Sequence, residues 1–284
     1  MIKSNLKKLL IRIGVRDAIL SFGAKWYPAD QASIVQTTVR GAKMLVLANE
    51  DVGRRILLLR QYEPRDADLL ARLIRPDDRC FDIGGNTGYY TMLMARAASK
   101  GEVHAFEPVP LNWHMLCSGV LLNKFTHVTV NKCAVGTSDG EMSFSEATDG
   151  AYSSLVPVGR KAERAQHTVS VRSLDSYLEE HAIPRIDVMK VDVEGAEPMV
   201  LEGAVGLLSD SHKRPRAIMM ELHDTNLAAY GTTVFAMIAK LKALGYGAYV
   251  APPDGAPRAF RDSDCNVHIN VFFVVADQVP TELY

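Results

Sequence analysis

Cys80 to Gly88 reads CFDIGGNTG, and His104 to Pro108 reads HAFEP. An acidic residue closes a short apolar strand, a glycine-rich turn opens a helix, and a second acidic residue ends the next strand. Gly84, Gly85 and Gly88 carry no Cβ and tolerate positive φ, so the backbone can pass close to a ligand. Behind the turn, Tyr90, Leu93, Met94, Ala97 and Ala98 share one helical face, and Gly101 can terminate that helix. The pattern describes a pocket for an adenosine-bearing cofactor at a helix N-terminus.

Two cofactors compete for such a turn. A dinucleotide site shows G-x-G-x-x-G with the pyrophosphate at the helix N-terminus. Here Asp82 stands at the strand end and Asn86 in the middle of the turn. A carboxylate at Asp82 would repel a pyrophosphate but can accept from the ammonium of a methionyl group. Glu107 ends the strand Val103 to Phe106, where it can accept both ribose hydroxyls. The pattern favours S-adenosylmethionine over NAD, and an NAD-dependent oxidoreductase is the alternative.

Ligands of open α/β sheets bind outside the carboxyl ends of the strands. The residues to inspect are therefore Asp82, Gly84, Asn86 and Gly88 after the first central strand and Glu107 after the second. Cys133, Ala134 and Val135 follow the third, Asp192, Glu194 and Gly195 the fourth, and Glu221 and His223 the fifth. Methyl transfer is an in-line displacement, so the protein must align an acceptor and take its proton. By position Asp192 and His223 are the candidate bases, with Glu221 beside them; a strand-end histidine with satisfied hydrogen bonds is the plainer reading of His223. Asp192, Glu221 and His223 could instead hold Mg²⁺ or another divalent ion. Lys190, inside an apolar strand, is expected to pair with a carboxylate at the strand end. Glu194 and Glu197 flank Gly195 at a helix start, where capping and substrate contact are equally good readings. Ser153 and Ser154, on the polar loop from Ala147 to Gln166, are expected substrate contacts, and Glu63 reaches the pocket from the N-terminal side.

These residues resemble the FkbM family of S-adenosylmethionine-dependent methyltransferases over roughly Gln61 to Val275. The marks are YEP at Tyr62, DIGGNTGYYT from Asp82, FEP from Phe106 and AVG at Ala134. SLDSYL from Ser173, KVDVEGAE from Lys190, VLEGA from Val200 and MELH from Met220 complete the set. Gly85 departs from the alanine more usual there, which should loosen the turn without changing its ligand. The resemblance implies a Rossmann-like class I methyltransferase fold, with Ala134 and Val135 against adenine. It also implies O-methylation of a small molecule or sugar in a natural-product or surface-glycan pathway. A non-catalytic binding module on the same fold is a further alternative.

Alternating strands and helices from Cys80 onward predict an α/β fold with a mostly parallel sheet. Its seven strands are Cys80–Ile83, Val103–Phe106, Val128–Cys133, Ile186–Val191, Ala217–Leu222, Tyr246–Val250 and an antiparallel last strand, His268–Val275. Glu141–Ser145 and Thr168–Ser173 read as an inserted strand pair, and Ala196–Leu208 as one helix. Residues 1–66 are expected to form a basic helix and a small β cap, in which Ile34–Leu47 alternates about Gly41 and Arg55–Leu59 adds an apolar run. Residues 67–284 are expected to form the methyltransferase domain.

The composition excludes other classes. With 284 residues, 48% of them apolar, a substantial core is affordable; a net charge of −1 provides no field to attract nucleic acid. Cys80, Cys117, Cys133 and Cys265 lack metal-finger spacing and read as free thiols of a cytoplasmic protein. No apolar run of about 18 residues suggests a membrane span. Ile2, Leu6, Leu9, Leu10 and Ile13 line one face of a basic N-terminal helix. That helix is expected to pack on its own domain or a second subunit of a homo-oligomer; contact with an anionic membrane surface is the alternative.

Overall fold

The computed structural model describes residues 33–147, 163–252, 255–266 and 269–275, together with positions 20, 27 and 278. Ser153, Ser154 and the N-terminal basic segment lie outside the described residues. The alternation about Gly41 produces an antiparallel hairpin, β1 (Ile34–Val39) and β2 (Ala42–Leu47), turning through Arg40 and Gly41 at φ 49° and 79°. Arg55–Leu59 is not a further strand. It belongs to helix α1 (Asp51–Leu59), which buries Gly53, Ile56 and Leu59 and carries an Asp51–Arg55 ion pair at 2.7 Å. That spacing and the i,i+4 pair fit a helix better than a strand. Helix α2 (Pro64–Leu73) follows, with proline at its first position.

The core then runs β3 (Arg79–Ile83), α3 (Tyr89–Ala97), β4 (Glu102–Phe106), α4 (Pro110–Asn123) and β5 (Val128–Asn131). The expected strand Val128–Cys133 stops at Asn131, because Ala134 and Val135 pair elsewhere. They form β6 (Ala134–Val135), parallel to β8 (Glu163–Arg172), which pairs with β7 (Gly140–Ala147) in a separate three-stranded sheet. Next come α5 (Leu174–Glu180), β9 (Val188–Val191), α6 (Glu197–Glu202) and α7 (Val205–Ser209). The single helix expected over Ala196–Leu208 breaks at Gly203, where a Cβ would lie 2.0 Å from the Gly136 carbonyl oxygen. β10 (Ala217–Leu222), α8 (Asp224–Ala228), α9 (Val234–Ala243), β11 (Tyr246–Val250), β12 (Arg258–Ala259) and β13 (Ile269–Val275) complete the described elements, with a 3₁₀ turn at Asp262–Asn266.

The main sheet has the order β12-β11-β13-β10-β9-β3-β4-β5. β10, β9, β3, β4 and β5 are mutually parallel, and β13 is antiparallel to both β10 and β11. The expected seven strands gain an eighth, the two-residue edge strand β12. The order reverses between β9 and β3, so their carboxyl ends flank the topological switch point at which such sheets bind ligands. This is a Rossmann-like α/β architecture.

Alternate residues of the central strands serve two faces. Phe81, Ile83, Met189, Val191, Ile218 and Met220 pack with Leu174, Tyr177 and Leu201 on one side. Cys80, Val188, Ala217 and Met219 pack with Leu70, Tyr90, Leu93 and Met94 on the other, and this second core continues into Met44 and Val46 of the hairpin and Ile56 of α1. The hairpin thus covers the outer side of α3, whose residues Tyr89–Ala95 are all buried. The side-chain amide of Asn123 at the end of α4 acts as a strand partner: its oxygen accepts from the Lys43 N–H at 2.9 Å and its nitrogen donates to the Lys43 carbonyl at 2.6 Å. The four cysteines are free, and Cys80, Cys133 and Cys265 are buried. Among the described residues no helix is long and apolar enough to cross a membrane.

Candidate active site

The turn after β3 is set by backbone geometry. Gly84, Asn86 and Gly88 adopt φ of 81°, 48° and 97°. At Gly84 a Cβ would sit 1.9 Å from the Asp192 carbonyl oxygen, so the two strand ends at the switch point touch through backbone. The Gly84 and Gly85 N–H groups both donate to the Phe106 carbonyl, at 3.0 and 2.9 Å, which ties the turn to β4. An alanine at position 85 would bring its Cβ 2.7 Å from Leu116 Cδ1, the movable tip of an α4 side chain.

Glu107 is buried and occupied on both oxygens: Oε2 accepts from the Asn86 N–H and Oε1 from the Val109 N–H, each at 2.8 Å. Burial pushes its carboxyl up to about 7. Asp82 is fully buried behind the turn; the Thr91 hydroxyl donates to its Oδ2 at 2.5 Å, while Oδ1 lies 3.5 Å from Lys190 Nζ. The Asn86 side chain accepts from the Thr87 N–H at 2.6 Å. Ala134 is buried among Val109 and Ala196, residues that follow β4 and β9, and so lies at the base of the same crevice. Lys190 pairs as expected, with Asp192 Oδ2 at 3.0 Å.

On the other side of the crevice the carboxylates converge. Asp192, Glu194 and Glu221 place one oxygen each within 4.8 Å of one another. His223 is not part of that group: it N-caps α8, its Nδ1 accepting from the Thr225 N–H at 3.2 Å. Of the group expected as Asp192, Glu221 and His223, the structure brings the two carboxylates together with Glu194 rather than with the histidine. Glu194 arrives because the chain bends through φ 53° at Glu194 and 105° at Gly195; its Oε2 accepts from Asn226 Nδ2 at 2.8 Å. Burial, then the charges of Asp192, Glu194 and Glu63, hold the Glu221 carboxyl well above its ordinary range.

Glu63 enters from the loop before α2, at φ 39°, and its Oε2 accepts from the Tyr90 hydroxyl at 2.7 Å. Burial raises its carboxyl. Two neighbours escaped the sequence reading. Asp66 is pushed up to about 7 by burial and by Glu63, and the Asn270 side chain bonds to both acids. The polar Asn270 inside the apolar run of β13 was the available signal.

Glu197 resolves toward capping. Its buried Oε1 accepts from the Val193 and Gly195 N–H groups at 3.2 and 3.1 Å, closing the turn that presents Glu194. Burial lifts this carboxyl to about 7. Because the folded pKa exceeds the ordinary value of 4.5, the folded state holds the proton more strongly; stability from this group is complete below about pH 4.5 and is lost as pH rises through 7. Glu197→Gln keeps an acceptor oxygen without that dependence. It should therefore gain about 1–3 kcal/mol relative to wild type between pH 5 and pH 8 in urea unfolding, and an unchanged difference would refute the assignment.

The family model for the methyltransferase FkbM domain matches residues 82–247. Methyltransferase 1 of Beauveria bassiana is 28% identical over 202 residues, covering 64% of this chain and 78% of that protein. The 31-O-demethyl-FK506 methyltransferase FkbM of Streptomyces tacrolimicus is 27% identical over 187 residues, covering 54% and 68%. The hexuronic acid methyltransferase AglP of Haloferax volcanii is 26% identical over 155 residues, covering 55% of this chain and 60% of its own length.

Proposed function

The chain belongs to the FkbM methyltransferase family and is an S-adenosylmethionine-dependent methyltransferase; from that premise we propose that it methylates a hydroxyl group of a small molecule or sugar. The observation that carries this reading is the convergence of Asp192, Glu194 and Glu221 beside the glycine turn. A hydroxyl acceptor must lose its proton, and carboxylates at the mouths of β9 and β10 are placed to receive it. The names of two relatives support the reading: one is a 31-O-demethyl-FK506 methyltransferase, the other a hexuronic acid methyltransferase.

The residues suit the cofactor's chemistry. S-adenosylmethionine supplies an electrophilic methyl group on a positively charged sulfur and carries a second positive charge on its ammonium. Glu63, Asp82, Glu107 and Asp192 surround the turn with carboxylates that favour such a cation. In this reading Glu107 meets the ribose, Ala134 the adenine, and Asp192 faces the reacting end. Asp192 would take the proton of the acceptor's hydroxyl, and the cofactor would supply the methyl group, its C–S bond breaking as the acceptor's O–C bond forms. Glu221 holds Asp192 in place by donating its own proton to it, a bond that also raises the Glu221 pKa.

One specific observation favours a metal-assisted form. Three carboxylate oxygens so close together match the all-oxygen preference of Mg²⁺, which would be held by Asp192, Glu194 and Glu221 and would acidify the acceptor hydroxyl. The deciding experiment is mass spectrometry of cell extracts incubated with the protein and isotopically labelled S-adenosylmethionine, with and without EDTA. A labelled hydroxyl ether supports the reading, and its loss with EDTA supports the metal. Absence of label across hydroxylated small molecules and glycans would overturn the acceptor assignment.

A further inference from the structure

Lys190 is a charged side chain in the middle of VMKV, a strand buried at every position. It pairs in register with Asp82 of β3, so the two side chains share one face of the sheet. Its ammonium donates to the Gly84 carbonyl at 2.9 Å and lies 3.0 Å from Asp192 Oδ2 and 3.5 Å from Asp82 Oδ1. Of these three oxygens, those of Gly84 and Asp192 lie at hydrogen-bond length, while Asp82 Oδ1 is an ion-pair contact without a hydrogen bond. The Tyr90 ring lies 5.4 Å from the same nitrogen, and the Tyr90 hydroxyl holds Glu63.

These contacts come from both sides of the switch point. Gly84 belongs to the turn that approaches the cofactor; Asp192 belongs to the acceptor side. Reaction between two bound molecules depends on holding them in register to a fraction of an ångström. A rigid cross-tie between the two surfaces meets that requirement, and a buried ammonium bonded on several sides has little freedom to move. Simple charge balance would need only the Asp82 contact, whereas the shorter contacts are to Gly84 and Asp192.

We propose that Lys190 is a positioning residue that locks the cofactor turn to Asp192, so that the two halves of the site hold one arrangement. The proposal rests on cofactor binding, not on the identity of the acceptor, so it stands or falls separately from the hydroxyl reading. The test is a double-mutant cycle on S-adenosylhomocysteine affinity, measured by titration calorimetry with wild type, Lys190→Met, Asp192→Asn and the double variant. Lys190→Met should weaken binding about tenfold or more, and that factor should shrink at least about threefold in the Asp192→Asn background, because both changes cut the same tie. A residue that serves only stability would lower the melting temperature without this non-additivity. Wild-type affinity in Lys190→Met, or factors that simply multiply, would overturn the proposal. Should Lys190→Met fail to fold, Lys190→Gln, which keeps a shorter polar side chain, enters the same cycle under the same criteria.

Discussion

Gly84→Ala should lose about 3–5 kcal/mol of folding stability and more than about 100-fold in S-adenosylhomocysteine affinity. The added Cβ would lie 1.9 Å from the Asp192 carbonyl oxygen, and that neighbour is backbone, which cannot swing aside as a side-chain tip can. The φ of 81° adds strain for any residue with a Cβ. Relief requires β3 and β9 to separate at their carboxyl ends, and that movement displaces Lys190 and Asp192 together. Urea unfolding and calorimetric titration measure the two losses. Gly85→Ala is the control, since the one atom its Cβ would crowd is Leu116 Cδ1, the tip of a flexible side chain, while Thr91 Oγ1 and Asp82 Oδ2 stay at ordinary contact distance. Equal behaviour of the two variants would contradict the geometry.

Asp192→Asn should lower turnover by about 10²–10⁴-fold while leaving S-adenosylhomocysteine affinity within about tenfold of wild type. Asparagine preserves the shape, but it loses the charge that pairs with Lys190 and it cannot take a proton from a hydroxyl. Asp192 is the half-exposed member of the carboxylate group, whereas Glu194 and Glu221 are buried. Glu221 is buried, and burial with the neighbouring carboxylates raises its carboxyl, so Glu221→Gln should be the milder substitution. Turnover of Asp192→Asn near the wild-type rate, measured by methyl transfer to the acceptor identified by isotope labelling, would remove Asp192 from the catalytic role.

The glycine turn and its two carboxylates were legible because they are local. A strand end, a glycine turn and the next strand end lie within one βαβ unit, and their chemistry is written in residue order from Cys80 to Pro108. The acceptor side was legible in outline only. Asp192 and Glu221 could be placed at strand mouths, but strand position does not show where side chains point. His223 was drawn away by α8, a helix of five residues and too short to leave a periodic trace. Glu194 entered because of a backbone bend at a residue that is not glycine. Asp66 and Asn270 meet across most of the chain's length, a proximity that no local pattern records. The same holds for Arg55–Leu59, where a short apolar run fits strand and helix equally until its packing partners are known.

The hairpin's turn does more than cover α3. The Arg40 guanidinium donates from Nε to the Tyr89 hydroxyl at 2.9 Å, and that hydroxyl donates to the Tyr62 carbonyl at 2.7 Å, one residue before Glu63. Arg40 Nη2 also reaches the Pro64 carbonyl at 3.0 Å, so Glu63 is held on both sides from a segment that precedes the family-matched span. When relatives are recombined to alter acceptor choice, the portable unit is therefore the sheet together with its hairpin, and Arg40, Tyr89 and Asn123 must travel as a set.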